Sequence, residues 1–233
     1  MTDLAHVHVV VPARNEAAHL PRMLESLSLA VEALRGSRPN MSVAVTVVLD
    51  LCTDSSAEVL GEHPWIDVVS VDLGLVGRVR AEGVERARRR TVPASPSRVW
   101  IASTDADTVV PPSWLVDQVE VAESGADFYT GVVTPDADDL PSSTRLAWWA
   151  RHQHVDGHPH VHGANLGFTL AAYDCVGGYD DVATGEDERL VRDMRSAGLA
   201  GVATAANPVT TSGRLVGRAP GGFAAYLLAL GNV

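Results

Sequence analysis

Short apolar runs alternate with longer amphipathic stretches along the first 110 residues. The apolar runs are rich in β-branched residues, as buried strands are, and they cover residues 7–11, 43–49, 67–71 and 98–104. Residues 17–34 and 76–90 instead carry apolar side chains at intervals of three and four, which predicts helices. Alternating strands and helices with short connections favour an α/β fold with a mostly parallel central sheet and helices on both faces.

The second half is less regular. Strands are predicted at 128–133, 165–169 and Gly201–Thr211, and a helix at 186–197. A polar, histidine-rich stretch occupies residues 142–162. Because no repeat or low-complexity linker interrupts the chain, we expect a single domain.

Two carboxylates follow the fourth predicted strand directly, in Asp105-Ala106-Asp107. In an extended backbone this spacing turns both side chains toward one side, at the carboxyl edge of the sheet, where open α/β sheets bind ligands. Carboxylates this close repel each other unless a cation lies between them. The pattern predicts a divalent cation that carries a phosphorylated ligand.

Other polar clusters follow the neighbouring strands. They are Arg14-Asn15-Glu16, Asp50, and Arg78 with Arg80. A single polar residue after a strand most often caps a helix or forms a turn. Several clusters with metal-binding and phosphate-binding chemistry at one sheet edge predict a shared crevice.

Composition narrows the function further. The net charge of −11 disfavours nucleic acid as a partner. All 18 basic residues are arginine, which excludes mechanisms that need a lysine. Two distant cysteines indicate a reducing, cytoplasmic location. The chain shows neither a signal-peptide pattern nor an apolar run of about 20 residues that could span a membrane.

Six segments together resemble family 2 glycosyltransferases, which have the GT-A fold. They include the opening Val9-Val-Val-Pro12-Ala-Arg14-Asn-Glu16, the DxD motif at Asp105–Asp107 and the ED motif Gly185-Glu186-Asp187. The others are Leu49-Asp50-Leu-Cys-Thr-Asp54, Gly77-Arg-Val-Arg80-Ala, and Gly163-Ala-Asn165-Leu-Gly-Phe168 with Gly177-Gly178. The resemblance runs from residue 7 to about residue 200. It implies a GT-A-type, Rossmann-like domain with a nucleotide-binding half (1–110), an acceptor and catalytic half (111–212) and a C-terminal tail (213–233).

The resemblance also implies roles for the clusters. The donor would be a nucleoside-diphosphate sugar, UDP- or GDP-linked, with Glu16 and Asp50 at its base and ribose. Asp107, with Asp105, would bind Mg²⁺ or Mn²⁺, and Arg80 would lie near the base or diphosphate. The implied donor-binding residues are Pro12, Arg14, Glu16, Asp50, Arg80, Asp105, Ala106 and Asn165.

The ED motif would supply the catalytic base. Asp187, or alternatively Glu186, would deprotonate an acceptor hydroxyl so that it attacks the anomeric carbon, by default with inversion. The acceptor would be a small molecule or a lipid-linked one, which would bring the enzyme to the inner face of the membrane. The structural alternative is that both acids have no catalytic role and only stabilise the N-terminus of their helix.

Competing functions remain at this stage. Residues 105–109 also fit the motif of haloacid dehalogenase-like phosphatases, but those enzymes place it on their first strand and need a lysine. The opening segment lacks the glycine-rich loop and lysine of GT-A-like nucleotidyltransferases. A non-catalytic nucleotide-sugar-binding protein is the non-enzyme alternative, although simple binding would not require a general base.

Three further features have open interpretations. The histidines of the 142–162 stretch predict a solvated or acceptor-facing loop rather than a metal site, and they are His152, His154, His158, His160 and His162. No histidine follows His162 to complete the coordination of Asp107. Trp148-Trp149 is either a sugar platform or part of the core. The apolar tail indicates packing or homodimer formation more simply than membrane contact.

Overall fold

Parallel strands form the first half of the sheet in the computed structural model, which describes residues 3–152, 154–217 and 221–231. These strands are β1 (His6–Ala13), β2 (Ser42–Asp50), β3 (Ile66–Val71) and β4 (Val99–Ser103). They lie side by side in the order β3-β2-β1-β4. The connecting helices are α1 (Leu20–Ser37), α2 (Ser56–Gly61) and α3 (Val76–Thr91). The alternating pattern of the first 110 residues therefore predicts this half of the fold correctly.

The second half extends the same sheet and introduces antiparallel strand pairs. Its strands are β5 (Thr108–Val109), β6 (Phe128–Pro135), β7 (Leu166–Thr169) and β8 (Gly201–Thr211). The sheet continues from β4 in the order β7-β6-β8-β5. Strand β7 runs antiparallel to both β4 and β6, whereas β6 and β8 are parallel. The predicted α/β fold with helices flanking the sheet is thus confirmed. The sheet as a whole is mixed, because its second half contains antiparallel pairs.

Five helices accompany these strands in the described residues: α4 (Trp114–Glu123), α5 (Ser142–Arg151), α6 (Leu170–Cys175), α7 (Glu186–Ser196) and α8 (Phe223–Gly231). Helix α7 matches the predicted 186–197 segment. Helix α5 occupies a stretch in which the sequence shows polar residues but no clear apolar stripe. Parts of the predicted tail, at 218–220 and 232–233, lie outside the described residues.

Helices α1 and α3 cover the sheet for reasons visible in the sequence. The apolar stripe of α1 is buried, including Met23 and Leu27, and Pro21 lies in its first turn, where its missing N–H costs nothing. Gly83 lets α3 approach β1 closely, because a Cβ atom there would lie 2.3 Å from Cγ1 of Val10. Both helices thus pack closely against the first half of the sheet.

A small separate core joins α5 to α8. Trp148 on α5 is buried against Leu227 and Leu230 of α8, with Phe223 packed beside them. The apolar tail is thus explained, in its described part, by packing. Within the described residues, no helix is both long enough and apolar enough to cross a membrane.

Candidate active site

A cleft of about 1460 Å³ opens at the carboxyl edge of the parallel strands. Its walls come from the ends of β1, β2 and β4, the start of α3, the start of α7, and residues 159–164. The predicted site residues that line it are Pro12, Arg14, Glu16, Asp50, Arg80, Asp105, Ala106, Asp107, Glu186 and Asp187. The shared crevice predicted from separate clusters is therefore present, although Asn15 and Arg78 of those clusters do not line it.

The two DxD carboxylates each contact an arginine. Oδ1 of Asp105 accepts a hydrogen bond from Nη2 of Arg80 at 2.7 Å. Oδ2 of Asp107 lies 2.9 Å from Nη2 of Arg214, and its Oδ1 accepts from the Thr211 hydroxyl at 3.1 Å. Burial, reinforced by the charge of Asp105, raises the pKa of Asp107 to about 6. Asp105 and Asp107 together therefore form an anionic centre, whose charge is partly offset by Arg80 and Arg214.

Arg80 links the DxD motif to the ED motif. Its buried guanidinium donates from Nη1 to the Ser103 hydroxyl at 2.9 Å and from Nε to Oε1 of Glu186 at 3.4 Å. Gly163 packs directly on it, since a Cβ at that position would lie 2.3 Å from Nη2. Arg80 therefore fixes the relative positions of the two acidic motifs, in addition to facing the cleft.

Asp187 is held by main-chain donors at the start of α7. Its Oδ2 accepts from the Gly163 N–H at 2.6 Å, and its Oδ1 accepts from the Glu188 N–H at 2.8 Å. Burial and the nearby Glu186 raise the pKa of Asp187 to about 6, although Arg80 and the two N–H donors oppose the shift. An aspartate that faces a cleft with such a pKa is suited to accept a proton near neutral pH.

Glu16 has a partner that sequence reasoning missed. Both of its carboxylate oxygens accept from Arg214, from Nη2 at 2.9 Å and from Nη1 at 3.0 Å. The Glu16 carboxylate is buried, and it also lies 3.0 Å from Nδ1 of His19. A signal was available, because Arg214 follows the predicted strand 201–211 just as the other site clusters follow theirs.

Other predicted donor-binding residues differ in their surroundings. The Asp50 carboxylate is buried and accepts from the N–H groups of Leu73 and Gly74, so it positions the loop before α3. Arg14 is exposed at the cleft. Asn165 does not line the cleft. It is fully buried, where its Oδ1 accepts from Trp114 and its Nδ2 donates to the Val132 and Asn207 carbonyls.

The histidine-rich stretch forms a row of rings beside the cleft. The centroids of His158 and His160 are 5.8 Å apart, and those of His160 and His162 are 6.2 Å apart. His152, His160 and His162 line the cleft, and that they face an acceptor stays a prediction. Burial lowers the pKa of His162 to about 4, and the neighbouring His160 adds to the effect. The solvated interpretation fails for His152 and His158, which are buried.

The two tryptophans separate into a core residue and a surface residue. The Trp148 ring stacks on His152 with centroids 3.6 Å apart. Trp149 is 48% exposed and neither ring is among the residues lining the cleft. The core-packing alternative therefore applies to Trp148, and neither ring forms a platform in this cleft.

The residues at the DxD motif fit a divalent cation that brings other ligands with it. Across the described residues, no group of three or more His, Cys, Asp or Glu side chains could hold a metal ion. Two carboxylates facing an open cleft are nevertheless the set that Mg²⁺ uses when substrate phosphates and water complete its coordination. Asp107 and Asp105 could hold such an ion only together with a bound diphosphate.

Comparison with known proteins identifies the family. The model of "Glycosyl transferase family 2" matches residues 8–172, which is more than half of the chain. The chain belongs to glycosyl transferase family 2. This membership, and the position of the DxD motif after β4 rather than β1, removes the haloacid dehalogenase-like alternative. No curated protein matches this family 2 chain in sequence.

Solved structures share its fold at low sequence identity. TarS from S. aureus matches with a TM-score of 0.60 and 13% identity, over 88% of this chain and 60% of that one. A mannosyltransferase from Pyrobaculum calidifontis, solved with GDP-Man and Mn²⁺, matches with a TM-score of 0.59 and 19% identity, over 88% and 56%. Glucosyl-3-phosphoglycerate synthase from Mycobacterium tuberculosis, solved with phosphoglyceric acid, matches with a TM-score of 0.60 and 15% identity, over 98% and 76%. The chain thus spans less than two thirds of the first two of these proteins.

Proposed function

We propose that this family 2 glycosyltransferase moves a sugar from a nucleoside-diphosphate sugar to an acceptor hydroxyl, with a divalent metal ion and with inversion. The observation that carries the proposal is the continuous contact from Asp105 through Arg80 to Glu186, with Asp187 beside it on the same cleft. Asp105 and Asp107 suit a charged leaving group, and Asp187 suits a nucleophile that must lose a proton.

In this proposal the donor occupies the end of the cleft formed by β1, β2 and β4. Glu16 and Asp50 face its nucleoside, and Arg14 and Arg80 add positive charge. Asp107 and Asp105 hold Mg²⁺ or Mn²⁺, which when bound would neutralise the charge that develops on the diphosphate. UDP- and GDP-linked sugars are both candidates, and GDP-Man with Mn²⁺ is present in the similar Pyrobaculum mannosyltransferase structure.

Asp187 is the proposed base. Its two main-chain hydrogen bonds fix the carboxylate at the start of α7, and its raised pKa increases its basicity while leaving it ionised at neutral pH. Glu186 is less suited to this role, since it is buried against Arg80. Attack by the deprotonated acceptor on the face opposite the diphosphate would invert the anomeric carbon.

The acceptor is proposed to carry an acidic group. Arg151, Arg192 and Arg195 line the cleft together with His160, although the protein as a whole has a net charge of −11. A phosphorylated small molecule or the phosphate of a lipid-linked acceptor would present the matching charge. The similar Mycobacterium synthase structure holds phosphoglyceric acid, which is such an acid.

Free cysteines at 52 and 175 support a cytoplasmic location.

The test is a panel of UDP-, GDP- and dTDP-sugars offered with phosphorylated or neutral acceptors, with Mn²⁺, Mg²⁺ or EDTA. We expect transfer from one donor class, stopped by EDTA and strongest with a phosphorylated acceptor. Asp187→Ala should bind the donor normally in calorimetry while transfer falls by about 10²–10⁴-fold, the usual contribution of a general base.

Glu188→Ala tests whether the loss is specific to Asp187, because Glu188 is the exposed acid next to it on α7 and lines the same cleft. Transfer by Asp187→Ala at the parent rate would overturn the assignment of the base. Donor binding without transfer to any acceptor would favour the non-catalytic binding protein. Metal-dependent donor binding that survives Asp107→Ala would overturn the metal assignment.

A further inference from the structure

Arg214 occupies the donor end of the cleft from an unexpected direction. It lies after β8, yet its guanidinium bridges Glu16 after β1 and Asp107 after β4. The Nη2 atom is 2.9 Å from Oε1 of Glu16 and 2.9 Å from Oδ2 of Asp107. One cation thus joins the proposed nucleoside-facing acid to the proposed metal-facing acid.

The segment that carries Arg214 is built for this position. The Ser212 N–H donates to the Asp107 carbonyl at 3.1 Å, and the Ser212 hydroxyl and the Gly213 N–H both donate to Oδ2 of Asp139, at 2.9 and 2.8 Å. Gly213 is required for the close approach, since a Cβ atom there would lie 2.7 Å from the Asp136 carbonyl oxygen. Arg214 is therefore anchored through its backbone rather than placed at the end of a free strand.

Arg80, the buried arginine of the site, has no comparable capacity for a ligand. Arg80 donates from Nε, Nη1 and Nη2 to three different protein acceptors and is buried. In Arg214, Nη1 and Nη2 contact carboxylates, and 29% of the side chain is exposed at the cleft. Because the chain has no lysine, arginine is its only side chain that offers a permanent positive charge to a diphosphate.

We propose that Arg214 is a diphosphate-binding residue that exchanges partners when the donor binds. This inference rests on the proposed function. Arg214 keeps its two hydrogen bonds to Glu16, and its ion pair with Asp107 is replaced by a contact between the guanidinium and a diphosphate oxygen. Asp107 is thereby released at the moment when the diphosphate arrives. Without nucleotide, the positive charge of Arg214 stays beside Asp107 and opposes the binding of a metal ion there.

The exchange predicts two effects of opposite sign in one variant. In Arg214→Ala, UDP or GDP binding in EDTA should weaken by about tenfold or more, the effect of one lost charge-assisted hydrogen bond. Binding of Mn²⁺ alone, followed by the electron paramagnetic resonance signal of free Mn²⁺, should tighten several-fold, because the competing cation is gone. Arg214→Lys keeps the charge but not the bridging geometry, and should fall between the parent and the alanine variant.

Arg38→Ala is the matched control. Arg38 forms a similar two-contact pair with Glu123, is exposed to a similar extent at 32%, and is not among the residues lining the cleft. It should leave both affinities unchanged. If Arg214→Ala unfolds, Arg214→Gln, which retains polar hydrogen-bonding groups, replaces it in the same titrations.

The outcomes separate the two proposals. A parent protein that binds UDP and GDP, combined with an Arg214 variant of equal metal-free affinity, overturns the role of Arg214 alone. Weaker Mn²⁺ binding in Arg214→Ala would also overturn it, because Arg214 would then support the metal site. A parent protein that binds no nucleoside diphosphate with or without Mn²⁺ overturns the proposed function itself.

Discussion

Asp187 illustrates how one residue can be made basic and still remain ionised at neutral pH. Burial and Glu186 raise its pKa to about 6, whereas Arg80 and two main-chain N–H groups keep the shift from becoming larger. At saturating donor, where Asp107 is occupied by ligand, we expect kcat to fall as the pH drops below about 6 and to be constant above it. The measurement is a pH profile of initial rates, and a profile flat down to pH 5 would contradict it.

The raised pKa of Asp187 also makes the stability of the folded protein depend on pH, in a direction that follows from the shift. The folded pKa lies above the unfolded value of about 3.9, so Asp187 favours the folded state at low pH and loses this contribution as the pH rises through about 6. The melting temperature of Asp187→Asn relative to the parent should therefore be higher at pH 7.5 than at pH 5. Differential scanning fluorimetry in buffers of equal ionic strength measures this difference, which a constant offset would contradict.

At the scale of elements, helix α5 packs against the rest of the protein through one face only, which carries Trp148. Trp148 is 1% exposed and stacks on His152, whereas its neighbour Trp149 is 48% exposed. We expect Trp148→Ala to lower the free energy of unfolding by about 3–5 kcal/mol, as for other buried aromatic residues. Trp149→Ala is a control of the same residue type and should change it by less than about 1 kcal/mol. Urea denaturation provides both values, and similar losses in the two variants would refute the assignment of α8 as the cover of α5.

Elements also differ in how readily the sequence reveals them. Strands β1 to β4 were predictable from short, continuous runs of β-branched and other apolar residues, and helices α1 and α3 from apolar residues at intervals of three and four. Helix α5 was not, since its buried side rests on Trp148 and Thr144 and faces a helix from the far end of the chain. Strand β7 was predicted, but its antiparallel direction depends on partners that the local pattern does not encode.

At the scale of the whole molecule, Arg80 connects the two halves of the domain. It pairs with Asp105, which is 33% exposed at its side chain, and with Glu186, which is buried. We expect Arg80→Met to destabilise the protein by about 3–5 kcal/mol, mainly because Glu186 would be left buried and unpaired. Adding Glu186→Gln should recover part of this loss, and chemical denaturation of the single and double variants measures the coupling.

Arg78→Met provides the comparison on the same helix. Arg78 pairs with Asp181 through two hydrogen bonds, but both side chains are about half exposed. Its loss should have little effect, because water replaces the partner of an exposed charge. Equal destabilisation by the Arg78 and Arg80 variants would contradict the bridging role.

The sequence alone determined the elements of the first half, the family and most of the acids that line the cleft. These features depend on local periodicity and on short motifs that follow strand ends. Only the tertiary structure decided which charges meet, because Arg214 and Glu16 are 198 residues apart and Arg80 and Glu186 are 106 residues apart. It also moved Asn165 from the predicted donor site into the core. Such pairings follow from the strand order, which brings distant segments together, and the local pattern of residues does not show which side chains will meet.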